Sequence, residues 1–306
     1  MPATASPLAA QPAEPSSLRE RIVFHIKVAR PGLWLTSIWF YLLPLGGKHV
    51  FTSPQFWLGV FFVTFPMGHL IYGWNDLMDA EADRLNPRKG TFLFGARGTP
   101  EQLRSLPWQM ALVQLPFLLL FTWLLGGRGI VYYTAIICVT ALYNVPRIGW
   151  KNHPPLEILN QAGYLLVFVL SSWLNGVAKL SAPAMLFGAL FAMHSHVFGE
   201  IMDIVPDRDA GRRTTANMIG LVPSKMLVVA LLITESVIVY RSIHDVFIMA
   251  FLITSAAFFL IDAIILWRDR IYSPSQMRFA MLAWNVVALA SMPYVWWSAS
   301  FVRTLY

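Results

Sequence analysis

The sequence predicts an all-α, polytopic membrane protein: nine transmembrane helices around a central cavity, with cap loops on the cytoplasmic side. Three observations predict it. Apolar runs near 20 residues, the length that crosses a bilayer as a helix, recur along the 306-residue chain. Hydrophobic residues make up 57% and charged residues only 13%, with a mean hydropathy of +0.56. The acidic residues are clustered, eight of the sixteen lying in two short windows where apolar runs end.

Residues 1–18 are rich in Pro, Ala and Ser and have no basic stretch before an apolar core, so they are expected to be a flexible tail. Residues 19–306 form the intramembrane domain. Its first part, 19–30, alternates charge with apolar bulk, as an interfacial helix does. Arg30-Pro31 then leads into the first span, with proline at a helix start, where its missing N–H costs little. The nine expected segments are 32–49, 55–75, 107–126, 129–146, 156–174, 182–204, 222–240, 245–267 and 279–299.

Eighteen of the 23 Lys and Arg fall on the side of the N-terminus, which sets that side as cytoplasmic and the C-terminus as external. A bacterial inner (cell) membrane is the expected location. The net charge of +7 is scattered between apolar segments, so topology accounts for it and no nucleic-acid partner is expected. Arg268, Arg270 and Arg278 are read as topology signals alone. The single cysteine, Cys138, allows no intramolecular disulfide and is read as a small buried hydrophobe.

The chemistry lies in the acidic windows. Asp76, Asp79 and Asp83 stand at i, i+3 and i+7 and share one helical face, where they repel one another unless a cation sits between them. His196, Glu200, Asp203 and Asp207 share a second face up to Pro206, which should bend or end that helix. Carboxylates at membrane depth are expensive unless they bind something or line a wet cavity. Oxygen donors of this kind suit Mg²⁺, which takes one or two carboxylates together with phosphate oxygens. Bases follow in the loops: Arg84, Arg88 and Lys89; Arg147 and Lys151; Arg208, Arg212 and Arg213. Two acidic clusters interleaved with bases make a site for a polyanion bridged by metal ions. In a lipid-embedded protein that polyanion is an isoprenyl diphosphate. The diphosphate-binding candidates are Arg30, Arg88, Lys89, Arg147, Lys151 and Arg212. DRLNPRKG and DRDAGRR, which follow the two clusters, point to a pseudo-repeat.

Asn75-Asp76-x-x-Asp79-x-x-x-Asp83 resembles the NDxxDxxxD motif of the UbiA superfamily of intramembrane prenyltransferases. Asp203-x-x-x-Asp207, followed by Gly211 and Thr214-Thr215, is similar to that family's second motif. Ala29-Arg30-Pro31 and the stretch from Tyr143 to Lys151 carry the resemblance further, and NPRKG and HVFGEIMDIVPDRDAG are most similar to the lycopene elongase-like branch. The resemblance implies two Mg²⁺ ions, one on Asn75, Asp76, Asp79 and Asp83, the other on Asp203 and Asp207. It implies that Arg30, Lys89 and Arg147 grip the diphosphate and that Tyr143 lines the cavity near the reacting carbon. Asp79, Asp203, Tyr143 and Arg147 are its catalytic candidates. Arg147 stands where the family usually has Lys, so Lys151 is a candidate to share its role. Glu200 and Asp209 are additional acids, Glu200 either a third ligand or a proton acceptor.

The implied reaction transfers a prenyl group to a lipophilic acceptor, an arene or a polyene, with release of pyrophosphate. Ions and bases stabilise the leaving group. Tyr72, Trp74, Tyr143, Tyr164 and Phe198 are the expected aromatic walls for the allylic cation. A membrane terpene cyclase with the same site and a carrier of phosphorylated lipid are the alternatives; no oligomeric state is read from the sequence. His194 and His196 are read as packed, hydrogen-bonded residues, Asp262 as paired with Arg268 or a neighbouring helix, and Glu235, an intramembrane charge and so a functional suspect by default, as having a structural hydrogen-bonded role.

Overall fold

Four long helices begin where Ser or Thr precedes proline by one or two positions: Ser53-Pro54, Thr99-Pro100, Ser181-Ala182-Pro183 and Ser273-Pro274. In three of the four the hydroxyl satisfies a first-turn amide, and in all four proline supplies a pre-set φ. Thr99, Ser181 and Ser273 each accept from the amide three residues on. A computed structural model describes residues 17–303. Its helices are α1 (Leu18–Val28), α2 (Trp34–Leu42), α3 (Pro54–Met78), α4 (Ala80–Leu85), α5 (Pro100–Leu125), α6 (Gly127–Asn144), α7 (Leu156–Leu159), α8 (Leu166–Leu174), α9 (Ala182–Asp209), α10 (Thr215–Ile219), α11 (Leu221–Ile238), α12 (Val246–Ile261), α13 (Pro274–Ser298) and α14 (Ser300–Arg303). No strand occurs among the described residues.

Seven helical stretches among the described residues are long and apolar enough to cross a membrane: Pro54–Met78, Pro100–Leu125, Leu156–Leu174, Ala182–Asp209, Leu221–Ile243, Val246–Leu266 and Pro274–Arg303. Of the nine segments expected, 32–49 and 129–146 are not among these seven. The first is broken: α2 has nine residues, set between short 3₁₀ turns that carry Pro31 and Pro44. The second corresponds to α6, of 18 residues.

α3 and α9 are the central helices, with 61% and 56% of their apolar windows buried, against 11% for Pro100–Leu125 and for Pro274–Arg303. Leu119 and Trp123 on α5 and Phe279 and Val286 on α13 point outward, as lipid-facing residues do. α9 packs against α11, α11 against α12, and α2 against both α3 and α13. The two acidic windows therefore sit at the ends of the two most enclosed helices.

Several local expectations change. Of the expected tail 1–18, residues 1–16 lie outside the described residues, while Ser17 caps α1 in a capping box with Glu20. Pro206 does not end its helix, which continues to Asp209. α3, in contrast, breaks at Asp79, and α4 resumes at Ala80. Amide bonds from Asp79 to Asn75 O and from Asp83 to Asp79 O keep the helical register across the break, so Asp76, Asp79 and Asp83 stay together. Cys138 is exposed on α6 rather than buried, on the outer side of a peripheral helix.

The loop between α4 and α5 folds back onto the corner between α1 and α2. Gly32 N–H donates to Phe92 O (3.1 Å), and a Cβ at Gly32 would lie 2.5 Å from Leu93 O. Only glycine permits that approach.

Away from the acidic windows, Lys225 and Asp262 form a fully buried ion pair (2.9 Å) between α11 and the end of α12. Lys225 also donates to Arg268 O (3.0 Å), and Tyr272 donates to Asp262. Asp262 therefore pairs with a neighbouring helix, and Arg268 contributes only its backbone. Removing one partner of a buried pair strands the other charge. Lys225→Met is expected to lower stability by about 3–5 kcal/mol, measured by thermal unfolding in detergent.

Candidate active site

The two acidic windows and three loops meet at one end of a cavity of about 580 Å³. Asp76 accepts from Arg30 (2.8 Å) and Lys89 (2.6 Å), and Lys89 also reaches Asp83 (2.7 Å). Asp79 pairs with both Lys151 and Arg212, and Lys151 donates to Asn75 Oδ1 (2.7 Å). Arg212 continues to Asp207 (3.1 Å), tying the first window to the second. Arg88, from the loop after the first window, pairs with Asp203 in the second. Five carboxylates thus face five cations: Asp76, Asp79, Asp83, Asp203 and Asp207 against Arg30, Arg88, Lys89, Lys151 and Arg212. Asp203, 27% exposed along its side chain, is the most open of the five acids.

The local chain explains how each base arrives. Arg30 has φ +49 and ends the α1 corner, with its guanidinium stacked over the Tyr72 ring (4.5 Å). Gly95, at φ +103, lets the α4–α5 loop close over it; a Cβ there would lie 2.9 Å from Arg30 Nε. Burial alone would push the Asp79 carboxyl up, but Lys151 and Arg212 more than offset this and hold it at about 2. Burial brings the Lys151 ammonium down to about 8, with Asp79 limiting the fall. Burial pushes the Asp83 carboxyl up, Lys89 pulls it down, and Asp76 and Asp79 add to the rise.

Twelve of the thirteen expected site residues are brought together at this end of the molecule. Arg147 is not. It lies exposed at φ +68, in the turn after α6, outside the cavity lining. Lys151 takes the inward position, buried and 5.6 Å above the Tyr143 ring. Of the aromatic walls, Tyr72, Tyr143, Tyr164 and Phe198 line the cavity, and Tyr72 and Tyr164 are joined through their hydroxyls (2.7 Å). Trp74 instead packs against the small cluster of Phe24, Val28 and Leu106.

Asn86 was missed. Its Nδ2 donates to Asp203 Oδ1 (2.7 Å) and its Oδ1 accepts from the Arg88 amide (3.0 Å), so it fixes the bridge between the windows. Its signal was its place in NPRKG, three residues after Asp83. Glu200 accepts from the Ala216 amide (3.0 Å) and lies 3.2 Å from His196.

Among the described residues, no three acid, His or Cys side chains gather closely enough to hold a metal ion by themselves, because the cations stand between the acids. The donor set still fits a hard cation. It is all oxygen, and Asp76 Oδ2 is buried without a hydrogen-bond partner.

The opposite end of the cavity is apolar and aromatic, with Phe40, Phe191, Phe251, Phe258 and Trp284 in its walls. A charged mouth and an oily body suit an amphiphile with an anionic head. The model of the UbiA prenyltransferase family matches residues 33–292. The chain belongs to that family. It is a prenyltransferase, as the two motifs implied.

A lycopene elongase/hydratase from Corynebacterium glutamicum is 26% identical over 236 residues, which are 72% of this chain and 78% of that protein. One from Haloarcula japonica is 30% identical over 201 residues, 64% of this chain and 66% of that protein. A UbiA homologue from Archaeoglobus fulgidus, solved bound to DMAPP and Mg²⁺, is similar in fold. It covers 89% of this chain and 99% of its own at a TM-score of 0.65, with 17% identity.

The contrast between Lys151 and Arg147 is testable. Lys151→Ala is expected to lower pyrophosphate release from a prenyl diphosphate by about 10²–10³-fold, the usual loss for a preorganised charge-stabilising donor. Arg147→Ala is expected to leave the rate within about twofold, since an exposed charge outside the cavity is screened. Parallel phosphate-release assays on the two variants check both.

Proposed function

We propose that this chain transfers a prenyl group from an allylic diphosphate to a polyene acceptor in a Mg²⁺-dependent reaction. The observation that carries the reading is the polarity of the cavity, five carboxylates and five cations at one end and an aromatic body at the other. The lycopene elongase/hydratase relatives support a polyene rather than an arene. The DMAPP and Mg²⁺ of the A. fulgidus structure support the donor and the ion.

Asn75, Asp76, Asp79 and Asp83 would hold one ion, and Asp203 and Asp207 a second. When bound, magnesium stabilises the negative charge that develops on the departing pyrophosphate. Lys89, Arg30, Arg88, Lys151 and Arg212 bind the diphosphate oxygens, turning part of their donor capacity from the carboxylates to the substrate. The allylic C–O bond breaks with its electron pair leaving on pyrophosphate. Tyr143 and the joined Tyr72–Tyr164 pair face the carbon left positive, which their π faces stabilise. The π electrons of an acceptor double bond then form the new C–C bond, and a proton leaves. Loops carrying Arg88 and Lys89, Lys151, and Arg212 exclude water over the mouth.

In the membrane, residues 32–49 and α6 add two crossings to the seven apolar helices, for nine in all. The excess of Lys and Arg on the side of the acidic windows makes that face cytoplasmic, in a bacterial inner membrane.

Asp79→Ala and Asp203→Ala are each expected to abolish pyrophosphate release, as is EDTA, with Mg²⁺ restoring the wild-type rate. The measurement uses purified membranes, prenyl diphosphates of several lengths and a polyene, with products identified by mass spectrometry. A cyclic terpene formed without acceptor, or release indifferent to EDTA, would sink the reading.

A further inference from the structure

One buried acid has no part in the chemistry above. Glu235 lies within the Leu221–Ile243 span and is fully buried. Its Oε1 accepts from His194 Nδ1 at 2.6 Å, and its Oε2 has no hydrogen-bond partner among the described residues. A carboxylate at that depth is costly to keep for packing alone. His194 lines the cavity. A carboxylate has no proton to give, so it fixes Nδ1 as the protonated nitrogen and leaves the Nε2 lone pair as the basic position. This is the arrangement in which an acid orients an imidazole and stabilises the imidazolium that forms when the ring takes a proton.

Position decides which proton. His194 stands nine residues before Asp203 on α9, about 14 Å along the helix axis, well inside the apolar body. It therefore faces the hydrocarbon part of the cavity rather than the diphosphate. The Phe191 ring packs edge-on against it (centroids 5.0 Å), and Phe191 in turn lies beside Trp284 (5.5 Å). These aromatic faces suit a carbocation on the acceptor.

We propose that His194 is the base that ends the reaction and that Glu235 is its positioning residue; this rests on the prenyl-transfer reading above. Attack by the acceptor double bond leaves one acceptor carbon cationic. The neighbouring C–H bond breaks, its electron pair forms the new C=C bond, and the proton passes to His194 Nε2. The imidazolium is paired with the Glu235 carboxylate until the product leaves and the proton returns to water. Without the base, water adds its oxygen to the same cation and loses a proton to solvent, giving an alcohol in place of the alkene.

The test measures the ratio of coupled alkene to coupled alcohol by mass spectrometry, alongside pyrophosphate release, in membranes given Mg²⁺, prenyl diphosphate and polyene. His194→Ala is expected to lower the ratio by about tenfold or more, with added imidazole restoring it. Glu235→Gln keeps an acceptor for Nδ1 but loses the charge, and is expected to shift the ratio the same way by a smaller factor. A structural role would move the amount of folded enzyme and leave the ratio alone. An unchanged ratio in both variants, or a wild-type product that is wholly alcohol, would overturn the assignment. Wild-type membranes that release no pyrophosphate would instead strike the prenyl-transfer reading, and the assignment with it.

Discussion

The structure depends on one electrostatic constraint: five carboxylates brought to one end of an intramembrane cavity must each meet a cation. Left alone, Asp76, Asp79 and Asp83 would repel one another across a single helix turn or two, in a setting where little water screens them. The chain meets this with bases from three different loops and from the α1 corner. Arg212 reaches Asp79 and Asp207 together, and Arg88 crosses from the first window to Asp203. The network therefore joins the two central helices as it balances their charge. Loop positions that look remote, such as Gly32 against Leu93 and Gly95 over Arg30, set where those bases sit.

That balance also suits the proposed chemistry. A diphosphate and its divalent ions bring charges of opposite sign, so the mouth accepts them together more readily than either alone. The cations would give up carboxylate contacts for phosphate oxygens, which would free the carboxylates to hold metal. Because the donors are already desolvated and oriented, little reorganisation remains for the moment of bond breaking. The largely aromatic body then continues from the same mouth, and the cationic carbon has π faces beside it.

Much of this was legible in the sequence, for a physical reason. Asp76, Asp79, Asp83, Asp203 and Asp207 lie on or beside regular helices, where spacing dictates which side chains share a face. The register survives even the break at Asp79 because its amide bonds persist. Arg147 and Lys151 lie in a turn instead, and helical spacing says nothing about a residue at φ +68. Asn86 was hidden for the same reason, its role created by a loop folding across 117 positions of sequence to Asp203. Lys225 stands in sequence like the loop cations beside apolar runs, yet it is wholly buried against Asp262. Composition cannot separate a loop cation from a buried one when both lie at the end of an apolar run. The helix through Pro206 shows the converse. Tertiary packing around α9 held a turn that local propensity would have ended.

Three placements of buried charge stand out among the described residues. The mouth network is large, internally balanced and open to a substrate through Asp203. The Lys225–Asp262 pair is fully buried, with Tyr272 donating to the same carboxylate and Lys225 also reaching a backbone carbonyl, and its position between α11 and the end of α12 makes it a fastening. The His194–Glu235 pair matches neither pattern. Its acid is as deeply enclosed as Asp262, yet its partner is a group whose charge is optional and whose ring faces the cavity. A helix fastening does not need a ring that opens onto the cavity, whereas a proton acceptor requires one. The acid's enclosure then serves the ring: it fixes one nitrogen, leaves the other basic, and keeps water away from the charge that appears there only during turnover.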